Sequence, residues 1–185
     1  GIAKGAGMIE PNMATMLVYL MTDAELPKAA LRPLLRRVVD RTFNCVSIDT
    51  DTSTSDTVVL MANGLAGTVK LGAFEKALLG VCEHLTREIA RGGEGATKLI
   101  TVDVSRAKTD IQAKRVAKCV VNSPLVKTAV YGCDPNWGRV IAAVGKSFDP
   151  SIDPGKVTIR FGATEVFKKG SPVACDLEAL RSYLG

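Results

Sequence analysis

Met16-Leu17-Val18-Tyr19-Leu20-Met21 is an unbroken apolar run, entered through Thr15 from the flexible stretch Gly5-Ala6-Gly7-Met8-Ile9-Glu10-Pro11-Asn12-Met13-Ala14. The run has the length of a buried strand and falls far short of the ~20 residues a membrane helix needs. Gly5 and Gly7 allow backbone conformations closed to other residues, and Pro11 fixes a turn. Thr15 therefore stands where a loop becomes a rigid core element. A strand fixes the geometry of a nucleophile there, and the loop leaves room for a substrate. Ala14, just before it, is small and unhindered. Breaking the Ala14–Thr15 bond would give Thr15 a free α-amino group beside its own hydroxyl. Such an amine has a pKa near ~8 in model peptides and can serve as the base for the hydroxyl. The residues taken alone fit equally a threonine that merely starts a strand.

The rest of the chain interleaves strands and helices. Pro27 opens a helix to about residue 43, with Leu31, Leu34, Leu35, Val38 and Val39 at helical spacing. Arg32, Arg36, Arg37 and Arg41 lie off that face and read as a solvated surface. Residues 45–48 read as a short strand and 57–62 as another. A second amphipathic helix spans 73–91, with Phe74, Ala77, Leu78, Val81, Leu85 and Ile89 inward, and Gly92-Gly93 stops it. A strand is expected over 99–104. Asp110 is expected to cap a third helix to about residue 121, followed by a strand over 125–131. Asp134-Pro135 fits an N-cap with proline at the first helical position, opening a helix over 136–145. Residues 157–161 and 165–167 read as a hairpin, and 176–184 as a last helix. The interleaving predicts a layered α/β architecture. A length of 185 residues suggests one domain.

Several classes of chemistry are set aside by composition and spacing. Net charge is +5, and the basic residues form no dense run interleaved with aromatics, so nucleic acid is not an expected partner. No apolar stretch is long enough to span a bilayer, so no membrane is expected either. The cysteines Cys45, Cys82, Cys119, Cys133 and Cys175 form no CxxC or Cys/His pair. They suggest neither a zinc site nor a disulfide framework, and read as mostly core thiols of a cytosolic protein. The acid and hydroxyl run Asp49-Thr50-Asp51-Thr52-Ser53-Thr54-Ser55-Asp56 lacks the glycine and distal glutamate of an EF-hand, and no metal is assigned to it. His84, the only histidine, lies mid-helix without an acid partner in sequence, which disfavours a Ser-His-Asp mechanism. Gly1 is not an initiator methionine and no signal peptide is visible, so a processed or trimmed start is expected. Lys4 is the only cation of the first loop. Glu94 follows the second helix stop between glycines, where a carboxylate can meet a ligand ammonium through a charge-assisted hydrogen bond. Both also fit ordinary surface residues.

Lys4-Gly5-Ala6-Gly7-Met8-Ile9-Glu10-Pro11-Asn12-Met13-Ala14-Thr15-Met16-Leu17 resembles the self-cleavage segment of the ornithine acetyltransferase family, also called glutamate N-acetyltransferase. Four further blocks resemble that family in the same order. They are Ile48-Asp49-Thr50-Asp51-Thr52-Ser53-Thr54-Ser55-Asp56-Thr57, Gly93-Glu94-Gly95-Ala96-Thr97-Lys98, Ser123-Pro124-Leu125-Val126-Lys127-Thr128-Ala129 and Gly132-Cys133-Asp134-Pro135-Asn136-Trp137-Gly138-Arg139. The resemblance implies a layered α-β-β-α sandwich of the ornithine acetyltransferase and aminopeptidase type, with the nucleophile strand at its centre. It implies that 1–14 is the tail of an α chain and that 15–185 is a β-chain catalytic domain, C-terminally incomplete. Cleavage would fall between Ala14 and Thr15. Thr15 would then take acetyl from N-acetylornithine, release ornithine, and pass the acetyl to glutamate to give N-acetylglutamate. Lys4 and Glu94 would contact substrate, and the oxyanion donors would lie upstream of this chain.

The implied partner is the α chain of the same precursor, in a heterotetramer of two α and two β chains in the cytoplasm. No cofactor is implied, although two-activity members also take acetyl from acetyl-CoA. The 49–57 and 132–134 blocks look closest to actinobacterial members, including one from clavulanic acid gene clusters. Two alternatives stay open. One is an N-terminal-nucleophile amidohydrolase or aminopeptidase of the same fold; the other is a non-catalytic domain. No role is assigned to Arg139.

Overall fold

The computed structural model describes residues 1–5, 16–48, 50 and 55–185. They form two compact units, Gly1–Leu99 and Ile100–Gly185, where length alone suggested one.

The first unit is built on the apolar run. Strand β1 (Ile2–Lys4), β2 (Leu17–Thr22) and β3 (Thr57–Ala62) form a three-stranded sheet in the order β1-β2-β3. β1 pairs antiparallel with β2, and β3 pairs parallel with it. A parallel pair needs a crossover, and α1 (Lys28–Arg41) lies in the connection. Alternation along β2 sorts its side chains between the two faces. Val18 and Leu20, with Met16 before the strand, are buried in a core shared with Leu34 and Val38 of α1 and with Leu78, Cys82 and Ile89 of α2 (Leu71–Arg91). Tyr19 and Met21 point the other way and are exposed, as are Ile2 of β1 and Met61 of β3.

Several expectations need correction. Lys4, read as part of a first loop, lies in β1, because Ile2–Lys4 pairs with the apolar run. Residues 45–48 are not a strand: a 3-10 turn, Phe43–Cys45, follows α1. Phe43 and Val46 are three apart and both buried in one core, a spacing that favours coiling over extension. On α2 the inward stripe runs through Leu78, Cys82, Leu85 and Ile89, and Val81 is exposed. Only Cys82 of the cysteines is buried; Cys45 is exposed, and Cys119, Cys133 and Cys175 are intermediate.

The second unit carries α3 (Asp110–Val121), α4 (Pro124–Tyr131) and α5 (Trp137–Gly145). An antiparallel sheet follows, β4 (Thr158–Phe161), β5 (Thr164–Lys168) and β6 (Ser171–Pro172), and then α6 (Leu177–Leu184). Residues 99–104 were expected as a strand and join no sheet among the described residues. Val102 and Val104 pack instead against Val116, Val120, Val126, Ala143 and Val144. Residues 125–131 are helix rather than strand. Ser123 caps α4 by accepting from Val126 N at 3.3 Å, and Pro124 sits at the first helical position. Thr109, not Asp110, caps α3, and Asn136, not Asp134, caps α5. The hairpin continues into β6 through Lys169 (φ 52°) and Gly170 (φ 78°), the two left-handed residues of a type I′ turn. Trp137 stacks on Phe167 with ring centroids 5.0 Å apart, beside a cluster of Ile159, Val166 and Leu180. No helix among the described residues is long and apolar enough to cross a membrane.

Candidate active site

Thr15 and Ala14 lie outside the described residues, as do most of the stretch before them and residues 49 and 51–54. What the structure gives is the frame into which Thr15 is bonded. Met16, the next residue, is buried at 2% exposure. Its N–H donates to Asp56 Oδ1 at 2.7 Å, and its carbonyl accepts from Thr57 N at 2.9 Å. Leu17 then enters the sheet between Lys4 on one side and Thr57 on the other. Lys4 is exposed and alternates with the core-packed Ala3, so it shares the open face with Ile2. The fold thus brings Lys4 directly to the start of β2.

Glu94 arrives by a different route. Ala96 N donates to Gly93 O at 2.9 Å and closes a turn that ends α2. Gly95, third in that turn, has φ +70°, which fits a type II turn with Glu94 at its second position, exposed. Gly93 is buried against Ile48: a Cβ there would lie 3.3 Å from Ile48 Cγ2. The Glu94 turn is therefore seated on Ile48, the residue just before the 49–56 run, and Asp56 at the far end of that run holds Met16. Lys4 meets the start of β2 directly, whereas the Glu94 turn, among the described residues, is seated on Ile48.

A cleft of about 310 Å³ opens beside this junction, lined by Met16, Leu35, Arg36, Val39, Asn44, Asp56, Thr57 and Val58. Arg36 was read as part of a solvated face; it is exposed but also borders the cleft. Asp56 escaped the sequence reading as a site residue. Its only signal was an acid placed one residue before an apolar strand. Arg37, by contrast, is an ordinary surface partner, donating to both oxygens of Glu75 at 2.9 and 2.7 Å and holding that carboxyl below its usual range. His84 is exposed on α2. No group of three or more His, Cys, Asp or Glu among the described residues is placed to hold a metal ion. Chemically, the exposed Lys4 offers a cation and the exposed Glu94 a carboxylate, each able to make a charge-assisted hydrogen bond with a group of opposite charge.

The model of the ArgJ family matches residues 1–185. The chain is 64% identical over 168 residues to a protein of Streptomyces clavuligerus named glutamate N-acetyltransferase Oat2, covering 90% of this chain and 43% of that one. It is 52% identical over 186 residues to the arginine biosynthesis bifunctional protein ArgJ of Rhodococcoides fascians, covering 100% of this chain and 46% of the relative. The chain spans about half the length of such relatives. A crystal structure of the ArgJ protein of Bacillus halodurans superposes with a TM-score of 0.88 at 43% identity, over 92% of this chain and 83% of that one. That likeness establishes the layered α/β sandwich fold expected from the sequence. On sequence and structure together, this chain belongs to the ArgJ family.

Proposed function

We propose that the protein containing this chain is an acyltransferase that moves acetyl from N-acetylornithine to glutamate through an acetyl-threonyl enzyme. In the maturation step the Thr15 hydroxyl attacks the Ala14 carbonyl and the C–N bond gives way to an ester. Water hydrolyses the ester, leaving 1–14 as the tail of an α chain and Thr15 as the first residue of a β chain. In the catalytic step the new α-amine takes the proton of the Thr15 hydroxyl, which attacks the acetyl carbonyl of N-acetylornithine. Ornithine leaves with the proton, glutamate enters, and N-acetylglutamate is released. Lys4 and Glu94 hold the charged ends of the amino-acid substrates.

The α chain of the same precursor completes the site and supplies the oxyanion donors, in a cytoplasmic heterotetramer of two α and two β chains. The chemistry needs no cofactor; acetyl-CoA is a second acetyl donor if the protein has both family activities. The observation that carries this reading is the grip on Met16. The residue bonded to Thr15 is buried and held at both backbone polar groups, with Lys4 beside the same strand start. A nucleophile needs such a rigid seat.

The test is intact mass of the purified full-length protein together with a transfer assay on N-acetylornithine and glutamate. Two chains, the second beginning at Thr15, and N-acetylglutamate formation are expected. Thr15→Ala should abolish cleavage and lower transfer by at least ~10³-fold. A Thr15→Ala protein with normal transfer overturns the assignment, and release of free acetate without acetylglutamate favours a hydrolase. Lys4→Ala and Glu94→Gln should each raise KM roughly 10- to 100-fold, the cost of a lost charge-assisted hydrogen bond.

A further inference from the structure

The acid and hydroxyl run over 49–56 has no part in the chemistry above, yet its last acid touches the nucleophile strand. Asp56 Oδ1 accepts from Met16 N at 2.7 Å across 40 positions of sequence. Thr57, the next residue, donates its N–H to Met16 O at 2.9 Å. The β2–β3 register starts at Leu17 and Thr57, so the Met16 N–H precedes the ladder and a carboxylate takes it instead. A hydrogen bond with one ionised partner is roughly twice as strong as a neutral one. The Met16 side chain is locked in the core at the same time. The amide held in this way is the one that joins Met16 to Thr15. A peptide unit is planar, and its plane includes the Cα of the preceding residue.

We propose that Asp56 is a positioning residue for the nucleophile: its carboxylate fixes the peptide plane that carries the Thr15 Cα, and so aims the Thr15 hydroxyl at the acetyl carbonyl. The proposal rests on Thr15 being the nucleophile. Asp56 neither takes a proton nor touches substrate in this role; it acts through Met16. A misplacement of about 1 Å in such a seat can cost on the order of 10²-fold in rate while leaving substrate contacts intact.

The experiment compares three variants of the full-length protein, with kcat counted per processed chain and KM measured for both substrates. Asp56→Ala removes the acceptor. Asp56→Glu keeps the charge but displaces the oxygens by a methylene. Asp56→Asn drops the charge and keeps an oxygen in place. The Ala and Glu variants should lose roughly 10- to 100-fold in kcat with KM within about 3-fold of wild type, and Asn should recover to within about 3-fold. An acid that only stabilises the fold would lower the yield of folded protein and leave kcat per processed chain unchanged. Wild-type kcat in the Glu variant, a loss confined to KM, or an Asn variant as poor as Glu each overturn the proposal. If Asp56→Ala fails to fold, the Asn and Glu pair decides. A wild-type protein that makes no N-acetylglutamate sinks the acetyltransferase reading and this role with it. An active wild type with an unaffected Glu variant sinks this role alone.

Discussion

Cys82 sits fully buried between α2 and the sheet, and burial pushes its thiol up to about 11. The thiolate is the reactive form, so Cys82 is inert twice over, by access and by ionisation. At pH 8 in the native protein, iodoacetamide should modify Cys82 at least ~10-fold more slowly than the exposed Cys45, as read by peptide mass, and denaturant should erase the difference. The same core explains which single residues were legible in the sequence. Leu34 and Val38 follow from a period of three to four, whereas the unbroken apolar run does not tell that Val18 and Leu20, rather than Tyr19 and Met21, face the core. Asp56 does not follow from any period. Its partner is 40 positions away, and only the β2–β3 register reveals it. Lys4 and Glu94 were visible as charges in glycine-flanked loops, but not the means of their placement: a strand pairing for one and a glycine packed on Ile48 for the other.

Helices α1, α2 and α3 were legible from recurring apolar spacing and α5 from the Asp134-Pro135 pair before it, while α6 buries only Leu180 among its residues. Helix α4 was not legible. Its sequence, Pro-Leu-Val-Lys-Thr-Ala-Val-Tyr, is rich in branched residues, and Ser123-Pro124 was read as the end of α3 instead of the start of a new helix. Val126 and Ala129, three apart and both buried, show which period won. The short β6 carries no periodic signal at all and exists because a type I′ turn folds it back on β5. If the cap is what starts α4, Ser123→Ala should cost about 1 kcal/mol of stability, measured as a lower denaturant midpoint at unchanged slope. Ser123→Asp, which keeps a capping oxygen, should recover most of it.

The whole molecule divides at Leu99, which length could not announce, since 185 residues fit one core as readily as two. In the second unit, Asp149 gathers Gln112 Nε2 at 3.0 Å, the Ser151 hydroxyl at 2.7 Å, the Ser151 N–H at 3.0 Å and the Arg115 guanidinium. The Gln112 and Ser151 hydrogen bonds, with Arg115 adding its charge, hold the Asp149 carboxyl well below its ordinary 3.8. Glu165 is lowered too, first by Lys168 and then by Arg160. A carboxyl with a depressed folded pKa contributes stability that is present above its ordinary pKa and is lost as pH falls towards the folded one. Stability of the second unit should therefore be level above about pH 5 and decline below pH 4. Amide exchange in α3 and α5 should show that decline, and Asp149→Asn should flatten it. An acid slope unchanged in Asp149→Asn would remove this network as its source.

The contact between Met16 and Asp56 also sets a schedule. Strands β2 and β3 are parallel and separated by α1, so their pairing closes a long loop, a slow event next to helix formation. While the chain is emerging from the ribosome, Met16 is made long before Asp56 exists. The seat that grips Met16 therefore forms only after Asp56 has been made and β3 has paired with β2. Completion of the β2–α1–β3 crossover is then the step that fixes the entrance to β2, and a chain that stalls before it leaves the Met16 amide without its Asp56 acceptor.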